Sequence, residues 1–243
     1  MKPIIGVPLR YGKLEERPIL YIGERVRRTL QKAGGEIFII PPIQDLDYIE
    51  IKRNEFPELT EEEKEIINKN LDKCDGLFLP GGKKFTQYDR YMLDYAIEKK
   101  IPTLAICLSM QMMSCYEEEI ELVKIENNEK HNQKDFDKLI HKVIINKNSK
   151  LYSILKQEQI MVNSFHNYHV TPNHIYETTA VSSDGLIEAL EYPSTFFNIG
   201  VQWHPEVSYD YDDNSKKIID SFIEETIKRK SARTENQKSK NQI

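Results

Sequence analysis

The sequence predicts an α/β fold: a three-layer sandwich with a central, mostly parallel sheet and extra antiparallel strands. Three observations point there. Apolar runs and helix-period segments alternate through the first half, the pattern of a parallel sheet covered on both faces. The second half changes to short strand candidates that follow one another closely, several of them expected to run antiparallel. An amphipathic segment near the end supplies one more covering helix.

The elements follow in order. Ile4 to Leu9 is an apolar run and reads as a strand. From Ile22 to Lys32 the apolar positions Ile22, Val26 and Leu30 fall at a helix period, and Ala33-Gly34-Gly35 stops the helix because glycine takes the left-handed cap. Glu36 to Pro42 reads as a buried strand ended by prolines. Thr60 followed by Glu63 is a capping box that opens a helix through Leu71, with Glu61 and Glu62 on the positive end of its dipole. Gly76 to Leu79 is a third strand, ended by Pro80-Gly81-Gly82. A helix from Tyr88 to Lys100 and a strand from Pro102 to Ile106 lead into Cys107, and Leu108 to Glu118 reads as helix. His141–Asn146, Ile160–Phe165, Thr178–Ser182, Leu186–Glu191 and Asn198–Gln202 are the later strand candidates. Lys216 to Arg229 closes the domain as a helix whose apolar stripe is Ile218, Ile219, Phe222, Ile223 and Ile227.

Composition bounds the function. A chain of 243 residues fits one domain. We read residues 1–230 as that domain and 231–243 as a basic tail; the last stretch, Lys228 to Ile243, holds Lys228, Arg229, Lys230, Arg233, Lys238 and Lys240 with few apolar residues and reads as solvated and frayed. The net charge of −5 offers no basic surface for a phosphate backbone, so no nucleic-acid partner is expected. No window approaches the roughly 18 apolar residues of a membrane span. The three cysteines Cys74, Cys107 and Cys115 form neither a disulfide framework nor a CxxC zinc pair. Reduced thiols imply a cytoplasmic setting. Neither a metal nor a cofactor is expected, and a homo-oligomer is left open.

Two segments carry chemistry. Cys107 lies where a strand meets a helix, at the carboxyl end of the sheet where ligands bind in open α/β folds. A sharp strand-to-helix turn there lifts a side chain toward solvent, and the helix N-terminus favours thiolate and leaves N–H groups for an oxyanion. The turn needs small neighbours, here Ala105 and Ser109; the segment alone also suits a buried cysteine packed as a small hydrophobe. In Gly200-Val201-Gln202-Trp203-His204-Pro205-Glu206, a strand ends at a histidine with a carboxylate two residues on. A cysteine nucleophile needs such a base, and a third group to hold its tautomer. Alone, His204 reads first as a partly exposed surface histidine. Pro80-Gly81-Gly82 lets a backbone approach a ligand closely. The stretch Met161 to His169 places polar groups at a strand end.

Together, these segments resemble the class I glutamine amidotransferase superfamily, and within it the free-standing γ-glutamyl hydrolases of the peptidase C26 type. The matching residues are Leu79-Pro80-Gly81-Gly82, Ile106 to Gln111, Asn148 to Tyr152, Val162-Asn163-Ser164-Phe165-His166, Asp184 to Ala189 and Gly200 to Glu206. The resemblance implies a flavodoxin-like amidotransferase fold and a triad of Cys107, His204 and Glu206. It implies an oxyanion hole from the N–H groups of Gly82 and Leu108. Gln111 and the backbone around Asn167 and Tyr168 would hold the glutamyl amino and carboxylate groups, with His166 in the same substrate-binding segment. The implied activity is hydrolysis of a small-molecule γ-glutamyl amide to glutamate and amine through a cysteine thioester. The alternatives are a glutaminase subunit feeding ammonia to a separate synthetase, and a degenerate member acting as a binding module. The family pattern has glycine at both positions flanking the nucleophile, so Ala105 and Ser109 are expected to strain the elbow by roughly 1 kcal/mol where φ is positive.

Overall fold

The computed structural model describes residues 2–51, 56–115, 122–126 and 131–240. Its first half holds β1 (Ile4–Pro8), β2 (Arg10–Leu14), β3 (Arg17–Tyr21), α1 (Glu24–Lys32), β4 (Glu36–Ile40), α2 (Glu61–Leu71), β5 (Gly76–Leu79), α3 (Gln87–Glu98), β6 (Thr103–Ile106) and α4 (Leu108–Ser114). Then come β7 (Val123–Lys124), β8 (His141–Ile145), α5 (Lys150–Leu155), β9 (Gln159–Val162), β10 (Tyr168–His169), β11 (Glu177–Ser182), β12 (Ile187–Glu191), β13 (Asn198–Val201), α6 (Pro205–Ser208) and α7 (Asp213–Lys240). The expected continuation of α4 to Glu118 falls partly outside the described residues.

A nine-stranded sheet runs β4-β1-β5-β6-β13-β12-β11-β8-β9. The pairs from β4 to β13 are parallel. Those from β13 outward to β9 are antiparallel. This is the expected change of character between the two halves. Strands β5, β6 and β13 are buried along their whole length, as strands covered on both faces must be. Successive side chains point to opposite faces. Phe78, Leu104 and Ile106 therefore join one core with Val26, Leu30, Ile219 and Phe222. Leu77, Leu79 and Ala105 join the other with Ile67, Met92 and Met110. The Thr60–Glu63 capping box opens α2 as expected, and Thr86 with Asp89 forms a second one on α3.

Two features depart from the sequence expectation. The hairpin of β2 and β3 was not signalled, because its turn places Glu15 and Glu16 at φ 48° and 64° without the Asn-Gly or Gly pair that usually marks such turns. In α7, Ile227 is 45% exposed, because buried Thr226 takes the next inward position, against Gly76. The helix also runs on past Arg229 to Lys240. Arg229 and Arg233 donate to the Cys74 carbonyl at 2.9 and 2.7 Å. Lys230 and Arg233 each lie 3.2 Å from the buried Asp75 carboxylate. Basic residues that composition assigned to solvent thus fasten the helix to the segment that leads into β5.

The α7–β5 contact leaves no room at Gly76. A Cβ there would stand 2.1 Å from Cγ2 and 3.2 Å from Cβ of Thr226, whose branched side chain cannot swing aside. Gly76→Ala is expected to destabilise the fold by about 1–3 kcal/mol, measured by urea denaturation. Gly76→Ala combined with Thr226→Ser should recover part of that loss.

Candidate active site

Cys107 caps α4 with φ 50° and ψ −103°. Its N–H donates to the Val201 carbonyl at 2.8 Å, extending the β6–β13 register by one residue, and the chain then turns sharply into the helix. The left-handed φ sits on the cysteine itself. Neither Ala105 nor Ser109 has positive φ, so the extra Cβ atoms at the flanking positions do not carry the expected strain. Strain held at one over-determined residue is a mark of functional sites. Cys107 is 8% exposed.

Ser109 has a task of its own. Its hydroxyl donates to the Pro80 carbonyl at 2.9 Å and accepts from Arg10 Nη2 at 2.7 Å. Arg10 also donates to the Pro80 carbonyl through Nε and Nη2, at 3.1 and 2.6 Å, and pairs with Asp89 at 2.6 Å. Arg10 and Asp89 are both buried. The Pro80-Gly81-Gly82 turn is therefore pinned from beneath by one guanidinium that also reaches α3 and α4. Glycine is required at Gly81, where a Cβ would lie 2.9 Å from Cε1 and 3.7 Å from Nε2 of His204 and 3.5 Å from the Cys107 Cβ. At Gly82 a Cβ would meet Arg10 Cδ and Leu108 Cδ2, both at 3.1 Å. The sequence-predicted donors Gly82 and Leu108 are thus neighbours. Leu108 opens α4, where helix N–H groups lack intrahelical partners.

His204 ends the β13 segment and caps α6, with Pro205 fixing the first turn. Its Nδ1 lies 2.7 Å from Glu206 Oε1, which makes Nδ1 the donor and turns Nε2 toward Cys107. Asn163 clamps the histidine backbone at both ends: Oδ1 accepts from His204 N–H and Nδ2 donates to the His204 carbonyl, each at 2.8 Å. The Phe165 ring packs edge-on against His204, with centroids 5.4 Å apart. Burial works against a charged imidazole here, but the Glu206 carboxylate and then Cys107 outweigh it. The His204 pKa is pushed up to about 10.

Sequence reasoning left Gln202 without a role. It is fully buried, donates from Nε2 to Cys107 Sγ at 3.4 Å, and accepts from Gln111 Nε2 at 3.1 Å. Gln111 also donates to the Tyr168 carbonyl at 3.0 Å. Gln111 and Tyr168, both expected at the substrate, therefore touch each other and reach Cys107 through Gln202. Asn167 lies nearby, its carbonyl accepting from Ile125 N–H and its Oδ1 from Asn132. His166 is placed differently. Its ring is buried and faces Glu188 and His131, while its Nδ1 donates to the Tyr168 carbonyl at 2.9 Å. Arg10, Ser109 and Asn163 are further residues of the site that sequence reasoning missed. Ser109 and Asn163 had a signal, their places in the Ile106–Gln111 and Val162–His166 segments; Arg10 had none.

Comparison with known proteins adds an independent observation. The Peptidase C26 family profile matches residues 86–206, a span that holds Cys107, His204 and Glu206. A Schizosaccharomyces pombe protein named as a glutamine amidotransferase is 35% identical over 140 residues, or 54% of this chain; the chain spans about half of that relative (53%). The γ-glutamyl-γ-aminobutyrate hydrolase of Escherichia coli K12 is 23% identical, with 91% of this chain and 92% of that protein aligned. Among solved structures, the glutaminase domain of Trypanosoma brucei CTPS with bound acivicin has the same fold: TM-score 0.63 at 20% identity, covering 93% of this chain and 94% of that one.

Proposed function

The chain belongs to the class I glutamine amidotransferase superfamily, in its peptidase C26, γ-glutamyl hydrolase-like branch, and on that premise we propose that it hydrolyses a γ-glutamyl amide through a thioester on Cys107. One observation carries the reading. A cysteine held at positive φ at the head of a helix faces a histidine whose other ring nitrogen is fixed by a carboxylate at 2.7 Å.

In this reading, the Cys107 proton already rests on His204 Nε2, as the raised histidine pKa favours, and the thiolate Sγ attacks the γ-carbonyl carbon. The C–N bond breaks, and the amine leaves with that proton. Water then attacks the thioester, giving a proton to His204. The C–S bond breaks, glutamate departs, and the Cys107 thiolate is left beside protonated His204. Glu206 holds the Nδ1–H tautomer and offsets the imidazolium charge. The N–H groups of Gly82 and Leu108 receive the developing oxyanion, each contributing roughly 3–4 kcal/mol to barrier lowering. Gln111, Tyr168 and Asn167 border the glutamyl pocket, with His166 supporting it from behind. A small-molecule substrate and a cytoplasmic setting with three reduced cysteines belong to the same reading. Among the described residues, no helix is long and apolar enough to cross a membrane.

The test is a panel of γ-glutamyl amines and glutamine incubated with the isolated chain, scored for glutamate and free amine. Release from a γ-glutamyl amine supports the hydrolase. Turnover of glutamine alone, and only beside a synthetase, would move the protein to the subunit reading.

Glu206→Gln is expected to lower kcat by roughly 10²–10⁴-fold, the scale of oriented general acid–base catalysis. It should also lower the His204 pKa, read by NMR titration of the ring. The sign for stability follows. The folded value of about 10 lies above the ordinary 6.5, so the pair's stabilisation is fully present below about pH 6.5 and is lost as pH rises through 10. Melting temperatures of wild type and Glu206→Gln should differ most at low pH within that range and converge above it.

A further inference from the structure

Behind the substrate segment lies a second group of titratable side chains, separate from Cys107 and His204. His131, His141, His166 and Glu188 are all buried, at 0, 4, 3 and 1% exposure. They come from four separate segments, including β8 for His141 and β12 for Glu188. One carboxylate oxygen gathers three rings. Glu188 Oε1 lies 3.0 Å from His141 Nε2, 3.6 Å from His166 Nε2 and 3.8 Å from His131 Nδ1.

The tautomers make this convergence unusual. His166 Nδ1 faces the Tyr168 carbonyl at 2.9 Å. A carbonyl can only accept, so Nδ1 carries the proton and the neutral ring presents a bare Nε2. His131 Nε2 faces the Asp184 carboxylate at 3.0 Å, so Nε2 carries the proton and Nδ1 is bare. Both bare atoms, His131 Nδ1 and His166 Nε2, are buried with no hydrogen-bond partner among the described residues. Two lone pairs therefore aim at a carboxylate oxygen in a site closed to water, where uncompensated polar atoms are costly. A cation at the centre removes that cost.

We propose that His131, His141 and Glu188 bind a divalent transition-metal ion of the zinc type, with His166 Nε2 beside them at 3.6 Å from the same Glu188 oxygen. In a tetrahedral site with metal–ligand bonds of roughly 2.0–2.1 Å, neighbouring ligand atoms stand about 3.3 Å apart. The observed 3.0–3.8 Å spans that separation, and the ligand atoms of His131, His141 and Glu188 lie within 4.8 Å of one another. Imidazole with one carboxylate suits zinc among the common divalent ions. The outward nitrogen of His131 is held by the Asp184 carboxylate, as that of a metal-bound histidine usually is. All three ligands are buried and none belongs to the Cys107 site, so the ion is structural. Its influence on the cleft passes through His166 to the Tyr168 carbonyl, which also takes Gln111.

The experiment is zinc binding by the full chain carrying Cys107→Ala, so that metal on the thiol is not counted. Mass-spectrometric metal analysis and a competition titration with a chromophoric chelator should give one zinc per chain, and stripping should lower the melting temperature reversibly. Cobalt(II) should produce the visible absorption of a four-coordinate site. Glu188→Gln should abolish stoichiometric binding. Because that change sits in the core, Asp184→Ala is the companion: Asp184 is 43% exposed, and losing it should weaken zinc 10–100-fold while the fold persists. No zinc uptake by the Cys107→Ala chain, or zinc uptake unchanged by both further substitutions, would overturn the proposal and leave a protonated histidine cluster paired with Glu188.

Discussion

Cys107→Ala is expected to lower the rate of γ-glutamyl amide hydrolysis on the order of 10⁴–10⁶-fold, the loss that follows removal of a catalytic nucleophile, with the fold intact. The structure allows a sharper form of the test. Cys107 sits at φ 50°, which costs any residue with a Cβ roughly 1 kcal/mol or more. Cys107→Gly should therefore be as inactive as Cys107→Ala and more stable by about 1 kcal/mol, read by urea denaturation. Lost activity with gained stability separates a strained functional residue from a small hydrophobe packed in a core, which would lose stability on truncation. Alkylation supplies a second readout. Burial pushes the Cys74 thiol up to about 12, so Cys74 serves as an inert internal comparator. Diazo-oxo-norleucine should label Cys107 first. Labelling no faster at Cys107 than at Cys74 and Cys115, or hydrolysis that survives Cys107→Ala, would sink the thioester reading.

How much of this was legible in the sequence differs by level. The sheet was, because β5 and β6 are buried apolar runs, one ended by Pro80 and the other opened by Pro102. The long helices were, through spacing and the Thr60–Glu63 capping box. The β2–β3 hairpin was not, since nothing in Leu14-Glu15-Glu16-Arg17 forces positive φ; tertiary context does. The reactive segments were legible as strand ends, and Cys107 and His204 stand together because β6 and β13 are parallel neighbours. What lay outside the sequence's reach is what joins distant segments. Arg10 read as the polar residue after a strand, yet its guanidinium lies beneath a turn formed by residues near position 81. Ser109 read as a departure from glycine, yet its hydroxyl completes that arrangement. Gln202 was visible in its segment, but its link to Cys107 exists only once α4 packs against β13. The histidine cluster had no spacing signature, because its members come from four segments.

The Arg10–Asp89 pair carries the other large expectation. Asp89→Asn leaves a buried guanidinium without its counter-charge, and removing one partner of such a pair typically costs about 3–5 kcal/mol. For a fold whose whole stability is roughly 5–15 kcal/mol, that is a marked drop in urea midpoint. The effect should extend to catalysis. Arg10 spends its other donors on the Pro80 carbonyl and Ser109, and a shifted guanidinium shifts the Gly81-Gly82 backbone, which lies against His204 and Leu108. A double substitution separates the two roles. Arg10→Met with Asp89→Asn removes the stranded guanidinium while the amide keeps the α3 cap that residue 89 forms with Thr86, so no buried charge is left without its partner. It should restore most of the urea midpoint lost in Asp89→Asn. It should not restore kcat, because the Pro80 carbonyl and the Ser109 hydroxyl have then lost the donor that holds the turn. If the double variant regains both stability and kcat, the guanidinium is only a packing element. If stability returns without kcat, Arg10 is a positioning residue that sets the glycine turn against the elbow, and the serine at position 109 is part of the same arrangement.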